Sequence, residues 1–217
     1  QEDSEHCKPA FRVVSTGSNS TAELANGIYF ALPGYSVKIW AAYNDMHVVD
    51  DAYHLCVIDR ASGKIESAFA YDITGDGEKT QGRRLRHLVY DLRQVDENKI
   101  AVVFTTGNPG TEWRLRGGLP EALFHCGASD AFIDHDFENS SAYVLIGIGG
   151  ATKGEGCELN RGGDRGANID IQFELSDSGF QIRHVERASA GSTSCCCNQN
   201  SYLNAVFAKR TQEENDL

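Results

Sequence analysis

The chain has 217 residues, of which 41% are hydrophobic; this is enough for one complete core, so we expect a single domain over residues 1–217. Acidic residues outnumber basic ones by 31 to 20, and the net charge of −11 repels nucleic-acid phosphates and anionic lipid head groups, which argues against both as partners. No apolar run approaches the ~20 residues that a membrane-spanning helix needs, so membrane insertion is not expected.

The first third of the chain predicts strands separated by turns. Apolar patterning indicates short strands at residues 11–15, 28–32 and 35–43. A hairpin is predicted over residues 53–71, in which an apolar strand containing Leu55 and Val57 meets a polar turn at residues 59–63. This part of the molecule is therefore expected to be β-structure.

Two helices are predicted in the middle of the chain. Between residues 78 and 97 the apolar residues recur at helical spacing and form one stripe, made of Leu85, Leu88, Val89, Leu92 and Val95. A weaker helix is predicted over residues 111–126, interrupted near Gly117 and Gly118.

Buried and half-buried strands alternate with these helices and follow them. Continuous apolar runs at residues 100–104 and 142–148 predict strands covered on both faces, and the glycine-rich segment 149–166 is predicted to be a loop. Alternating patterns predict strands at 169–175 and 180–184, and a closing strand at 202–209. Helices among many strands, without regular βαβ alternation, indicate an α+β fold.

Catalytic and metal-binding motifs are missing from the sequence. There is no Gly-x-Ser-x-Gly or His-Glu-x-x-His pattern, and the glycine run at residues 147–154 lacks the Gly-Lys-Ser/Thr of a phosphate loop. Residues 72–77 resemble the first half of a calcium loop, but Arg83 stands where the twelfth-position glutamate is needed. A weaker acidic cluster occupies residues 130–138. We therefore expect no enzymatic activity, no cofactor and no metal.

Cysteines and glycosylation sequons point to an exported protein. Seven cysteines occur without a Cys-x-x-Cys pair, and sequons are present at Asn19 and Asn139. A first residue of Gln1 would suit a processed, secreted chain. Cys56 and Cys126 lie in apolar stretches and are predicted to be buried thiols, whereas disulfides are expected among Cys7, Cys157, Cys195, Cys196 and Cys197. Because seven is odd, at least one thiol is left free or bridges two chains, as in a disulfide-linked homodimer.

The order of motifs resembles the interleukin-like EMT inducer family, also called the PANDER-like or cytokine-like family. The matching features are the hairpin turn at 59–63, the Tyr71-Asp72 and Gly75-Asp76 steps before a helix, the strand at 100–104, the helix at 119–127 and the strand end at 144–154. An N-terminal strand at residues 11–17 also fits. The resemblance covers roughly residues 11–155, so the region from about 156 to 217 is an elaboration.

The resemblance implies two mainly antiparallel β-sheets flanked by helices, a β-β-α sandwich, in a secreted protein without enzymatic activity. It also implies a disulfide joining Cys7 to one cysteine of the triplet 195–197. Some family members are cytokine-like ligands, and a similar domain forms the glycan-binding stem of an O-mannose N-acetylglucosaminyltransferase. A secreted carbohydrate-binding, lectin-like protein is therefore expected, with a glycan or glycoprotein partner; the alternative is a cytokine-like ligand of a protein receptor. A homodimer, disulfide-linked or non-covalent, is compatible with either.

The expected sugar site departs from the family pattern. The family often carries Asp in the loop after its central strand, where this chain has Asn108, and an Arg-Asp-Ser/Thr-Trp motif where this chain has residues 140–143. Sugar sites combine an aromatic platform with planar polar groups. The candidate carbohydrate-binding residues are therefore Asn108, Glu112, Trp113, Arg114 and Tyr143; the alternative for Trp113 is a core or capping aromatic.

Overall fold

The structure is a computed structural model that describes residues 10–15, 27–32, 35–38, 49, 51–60, 65–74, 77–110, 114–133, 142–161, 169–176 and 179–187. The strands in these ranges are β1 (Ala10–Ser15), β2 (Gly27–Leu32), β3 (Tyr35–Lys38), β4 (Tyr53–Asp59), β5 (Ile65–Tyr71), β6 (Lys99–Thr105), β7 (Ala142–Ile148), β8 (Cys157–Arg161), β9 (Ile169–Ser176) and β10 (Gly179–Arg187). The helices are α1 (Glu78–Arg93), α2 (Leu119–His125) and a short 3₁₀ helix, Asp130–Phe132.

An antiparallel five-stranded sheet in the order β5-β4-β6-β7-β8 forms the centre of the molecule. Together with the two α-helices it makes the fold α+β, as the sequence predicts. Its middle strands are buried along nearly their whole length, which is why β6 and β7 read as continuous apolar runs rather than alternating ones. The sheet therefore has little solvent-facing surface at β4, β6 and β7.

The helices cover one face of this sheet. Leu85, Leu88, Val89 and Leu92 of α1 pack into the same cluster as Leu55 and Val103 of the sheet. Leu119, Ala122 and Leu123 of α2 join that cluster. The predicted helical stripe is thus confirmed, although α1 ends at Arg93 and the buried Val95 lies just beyond it.

The remaining five strands pair antiparallel in the order β10-β9-β1-β2-β3. Among them, the predicted strands at 11–15, 28–32, 169–175 and 180–184 are all present, and β3 covers the start of the predicted 35–43 strand. The predicted closing strand at 202–209 lies outside the described residues. A hydrogen bond from Ser15 Oγ to the carbonyl oxygen of Thr105, at 2.7 Å, connects this group to the central sheet.

Two local predictions need correction. The segment 149–166 was expected to be a loop, but it contains β8, which pairs with β7 from Ala142↔Arg161 to Ile146↔Cys157. Pairing with a buried neighbour outweighs the high glycine content around β8. The predicted interruption of the second helix at Gly117 and Gly118 is confirmed, since both have positive φ (63° and 79°), but residues 114–118 form turns and the helix begins only at Leu119; residues 111–113 lie outside the described ranges.

The turn before α1 is held in place by the side chain of Asp72. Asp72 Oδ1 accepts hydrogen bonds from the backbone nitrogen of Thr74 at 2.9 Å and from its hydroxyl at 2.7 Å. Arg84 Nη1, on the helix, donates to the carbonyl oxygen of Asp72 at 2.9 Å and lies 3.2 Å from its carboxylate. These contacts tie the carboxylate of Asp72 into the entry to the helix.

Candidate functional site

One edge of the central sheet collects most of the residues that the sequence singles out. The start of β4 pairs with the end of β6 at Tyr53↔Thr105, and the start of β7 lies beside the end of β6. Tyr143 also donates its backbone N–H to Thr105 Oγ1 at 3.0 Å. In an antiparallel sheet the start of one strand lies beside the end of its neighbour. Residues 51–53, 105–110 and 142–143 therefore come together at one edge of the sheet.

Thr106 fixes the loop that leaves β6. Its hydroxyl donates to the carbonyl oxygen of Val49 at 2.7 Å and accepts the backbone N–H of Ala52 at 3.1 Å. Its own N–H donates to the carbonyl oxygen of Ala52 at 3.0 Å. Because Thr106 is fully buried, these three bonds hold residues 106–110 against the segment before β4.

Asp51 sets the position of Asn108. Its Oδ1 accepts the backbone N–H of Asn108 at 2.6 Å, and Asp51 itself has a positive φ of 57°. A Cβ at the intervening Gly107 would lie 2.2 Å from Asp51 Oδ1, so the approach of the two segments requires glycine. The carboxylate of Asp51 therefore holds the backbone of the loop at Asn108 in a defined position.

The side chain of Asn108 keeps a donor for a ligand. Its Oδ1 accepts the N–H of Gly110 at 3.3 Å, which closes a small turn. Asn108 is half-buried and Asp51 is exposed, and the described residues provide no hydrogen-bond partner for Asn108 Nδ2. The loop at Asn108 thus offers a side-chain amide donor, and the carboxylate of Asp51 contacts the backbone of the same residue.

Arg114 lies in the interior rather than at this surface. It is 8% exposed, and its Nη2 donates to the carbonyl oxygen of Ile133 at 3.4 Å. Its charge also acts on Tyr53, whose pKa is raised strongly by burial and lowered in part by Arg114. Tyr53 is fully buried, and its hydroxyl has no hydrogen-bond partner among the residues that the structure describes.

Tyr143 belongs to a buried polar cluster. It is 0% exposed, and its hydroxyl donates to Glu158 Oε1 at 2.7 Å. Glu158 Oε2 accepts the backbone N–H of Ser129 at 2.7 Å and also the Ser129 hydroxyl. Burial raises the pKa of Glu158 above its ordinary value of 4.5, whereas the bonds from Ser129 and Tyr143 lower it and the charge of Asp130 raises it.

The predicted site residues therefore divide into two groups. Asn108 lies at the surface, while Arg114 and Tyr143 lie beneath it and are connected through Tyr53, which interacts electrostatically with both. Contact between a ligand and Tyr143 would require the interior to open. Glu112, Trp113, the sequons Asn19 and Asn139, and the cysteines Cys7, Cys195, Cys196 and Cys197 lie outside the described residues.

Sequence reasoning missed Asp51, Tyr53, Thr106, Ser129 and Glu158. No motif marks them, because each acquires its partner from a segment distant in the chain. The cysteine predictions fare better: Cys56 and Cys126 are buried thiols, as expected. Burial raises the pKa of both, to about 12 for Cys126. Cys157 is buried on β8.

Within the described part of the chain, no group of three or more His, Cys, Asp or Glu side chains is arranged to hold a metal ion. Nor do the described helices include one with the length and apolarity to cross a bilayer. No protein-family model matches the chain, and no curated protein matches it.

Proposed function

We propose that this protein is a secreted, non-enzymatic, lectin-like protein that binds a carbohydrate at the Asp51–Asn108 edge of the central sheet. The observation that carries the proposal is the exposed carboxylate of Asp51 bound to the backbone of Asn108, in a loop that Thr106 ties to the segment before β4; the side-chain amide of Asn108 adds a donor in that loop. Sugars offer neighbouring hydroxyls that donate and accept at once, and a fixed acceptor–donor pair matches them.

Asp51 supplies the carboxylate that the sequence pattern lacks. The family resembled by this chain often carries Asp in the loop after its central strand, where this chain has Asn108. Asp51 Oδ1 lies 2.6 Å from the backbone nitrogen of Asn108, so Asp51 brings a carboxylate to this loop from the segment before β4. Glu112 and Trp113 follow Asn108 closely in the chain and would add a second carboxylate and an aromatic platform for a sugar ring.

Arg114 and Tyr143 have a supporting role in this proposal. Both are buried, and the Tyr143 backbone bond to Thr105 Oγ1 braces the strand end from which the loop departs. A preorganised loop loses little conformational entropy when it binds, which favours affinity for a small ligand. The proposed architecture around it is a sandwich of two sheets with helices, and the hydrogen bond from Ser15 to Thr105 supports that packing.

A glycan array probed at high protein concentration tests the function. The variants Asp51→Asn, Asn108→Ala and Trp113→Ala then test the site, with Glu121→Gln on the exposed side of α2 as the matched control. We expect each site variant to bind the selected glycan about tenfold more weakly, as the loss of one or two well-placed hydrogen bonds implies, and the control to be unchanged.

Two outcomes would defeat parts of this proposal. Binding to no glycan would overturn the lectin function and leave the cytokine-like alternative, a ligand for a protein receptor, as the one to pursue. Glycan binding that is unchanged in all three site variants would retain the function and move the site elsewhere. Asp51→Asn keeps an oxygen for the Asn108 N–H, so a loss of binding there reports the charge rather than a collapsed loop.

A further inference from the structure

The solvent-facing side of α1 carries a straight row of cations with one aromatic residue inside it. We call this the cationic stripe: Lys79, Arg83, Arg86, Tyr90 and Arg93. The spacing alternates between four and three residues, which places all five on one line along the helix. Lys79, Arg83, Arg86 and Arg93 are exposed, and Tyr90 is 63% exposed, while the apolar side of α1 faces the core.

The four cations of the stripe have no carboxylate partner among the residues that the structure describes. Other basic residues of this acidic chain find carboxylates: Arg84 on the same helix pairs with Asp72, and Lys99 pairs with Glu66 at 2.8 Å. For the stripe's cations the described residues provide no ion pair and no hydrogen bond from the side chain. Asp91, an acid of α1, accepts the hydroxyl of Tyr71 at 2.6 Å instead.

The dimensions of the stripe suit a linear polyanion. Fourteen helical steps from Lys79 to Arg93 at ~1.5 Å each give a row about 21 Å long. Three of its four cations are arginines, whose planar guanidinium groups bind oxyanions in a bidentate manner. Tyr90 lies between Arg86 and Arg93 and exposes a ring on which the apolar face of a sugar can stack.

We propose that the cationic stripe of α1 binds a sulfated polysaccharide chain, with Arg83, Arg86 and Arg93 contacting sulfate groups and Tyr90 contacting a sugar ring. An anionic membrane fits less well, because the apolar residues of α1 are buried and cannot insert into lipid. A nucleic-acid duplex fits less well because its bases are already stacked on one another and cannot pack against Tyr90. This inference is independent of the Asp51–Asn108 site, which lies on other elements.

The test compares heparin-type oligosaccharides of defined length with the same chains after chemical desulfation, by surface plasmon resonance at several NaCl concentrations. The triple variant Arg83→Gln/Arg86→Gln/Arg93→Gln removes the cations and keeps residues that favour helix. The control is Arg60→Gln/Lys99→Gln/Lys153→Gln, which lowers the net charge by the same amount away from α1. Circular dichroism verifies that both variants are folded.

We expect the sulfated oligosaccharide to bind the wild type and the control alike, and the stripe variant about tenfold more weakly or worse, since three exposed charge contacts are lost. Binding should weaken with added NaCl and disappear on desulfation. Tyr90→Ala should weaken binding of the oligosaccharide but not of polyglutamate. Equal losses in the stripe and control variants, equally tight binding of polyglutamate, DNA or phosphatidylserine vesicles, or no binding at low salt would each overturn the proposal.

Discussion

Replacing Tyr143 with phenylalanine tests the buried polar cluster beneath the candidate site. The substitution keeps the ring, which packs edge-on against Phe132 with centroids 5.1 Å apart, and removes only the hydroxyl that donates to Glu158 at 2.7 Å. Burial raises the pKa of Tyr143 well above its ordinary value, so the hydroxyl stays protonated and remains a donor at neutral pH. A hydrogen bond to a buried charged group contributes about 1.5–3 kcal/mol to stability.

The loss should depend on pH because Glu158 titrates. Burial raises its folded-state pKa above 4.5, so the native state binds a proton more readily than the unfolded chain and stability falls as pH rises from about 4.5 through the folded pKa. Removing the Tyr143 hydroxyl takes away a donor that lowers this pKa. The loss in the variant should therefore grow with pH: about 0.5–1.5 kcal/mol at pH 4, where Glu158 is protonated, rising toward about 1.5–3 kcal/mol at pH 7 as the carboxyl group ionises.

Urea unfolding at the two pH values measures both numbers. The control is Tyr90→Phe, which removes a hydroxyl from a side chain that is 63% exposed and should change stability by no more than about 0.5 kcal/mol. A Tyr143→Phe loss that is the same at pH 4 and pH 7, or no larger than that of the control, would refute the assignment of Tyr143 as a donor to an ionised Glu158.

Two further predictions concern the core. Gly147→Ala should destabilise the fold by more than about 3 kcal/mol or prevent folding, because the added Cβ would lie 1.7 Å from the carbonyl oxygen of Cys126. Gly82→Ala should instead stabilise the fold by up to about 1 kcal/mol, because the helix has room for a methyl group there. Chemical denaturation of the two variants measures both changes. Cys56 and Cys126 should resist alkylation in the native protein and react after unfolding, which mass spectrometry of digests would show. Cys7 should react only after reduction; its alkylation without reductant would contradict the predicted disulfide.

Hydrophobic periodicity predicted most of the secondary structure correctly, because burial on one or both faces leaves a direct imprint on the sequence. The apolar residues on the buried side of α1 and the continuous apolar runs of β6 and β7 are examples. The failure at β8 has a physical cause. Cys157, Glu158 and Leu159 are buried because β8 pairs with β7 and packs near Ser129, and neither partner is adjacent in the chain.

At the candidate site, too, the sequence predicted the residue types but not the contacts between them. The residue types in segment 108–114 suggested a sugar site, but the sequence does not distinguish Asn108 from Arg114; the structure shows that Asn108 is half-buried at the surface and Arg114 is buried. The carboxylate that contacts the backbone of Asn108 comes from Asp51, which no sequence motif marks.

The sequence by itself thus determined the α+β class, the places of the helices and most strands, and the burial of Cys56 and Cys126, since these depend on local periodicity and polarity. Only the tertiary structure decided which polar groups meet. Asp51 and Asn108 are 57 residues apart, and Tyr143 and Glu158 meet across neighbouring strands 15 residues apart in sequence. Strand pairing and loop packing bring such groups within hydrogen-bond distance, and composition and local spacing carry no record of it.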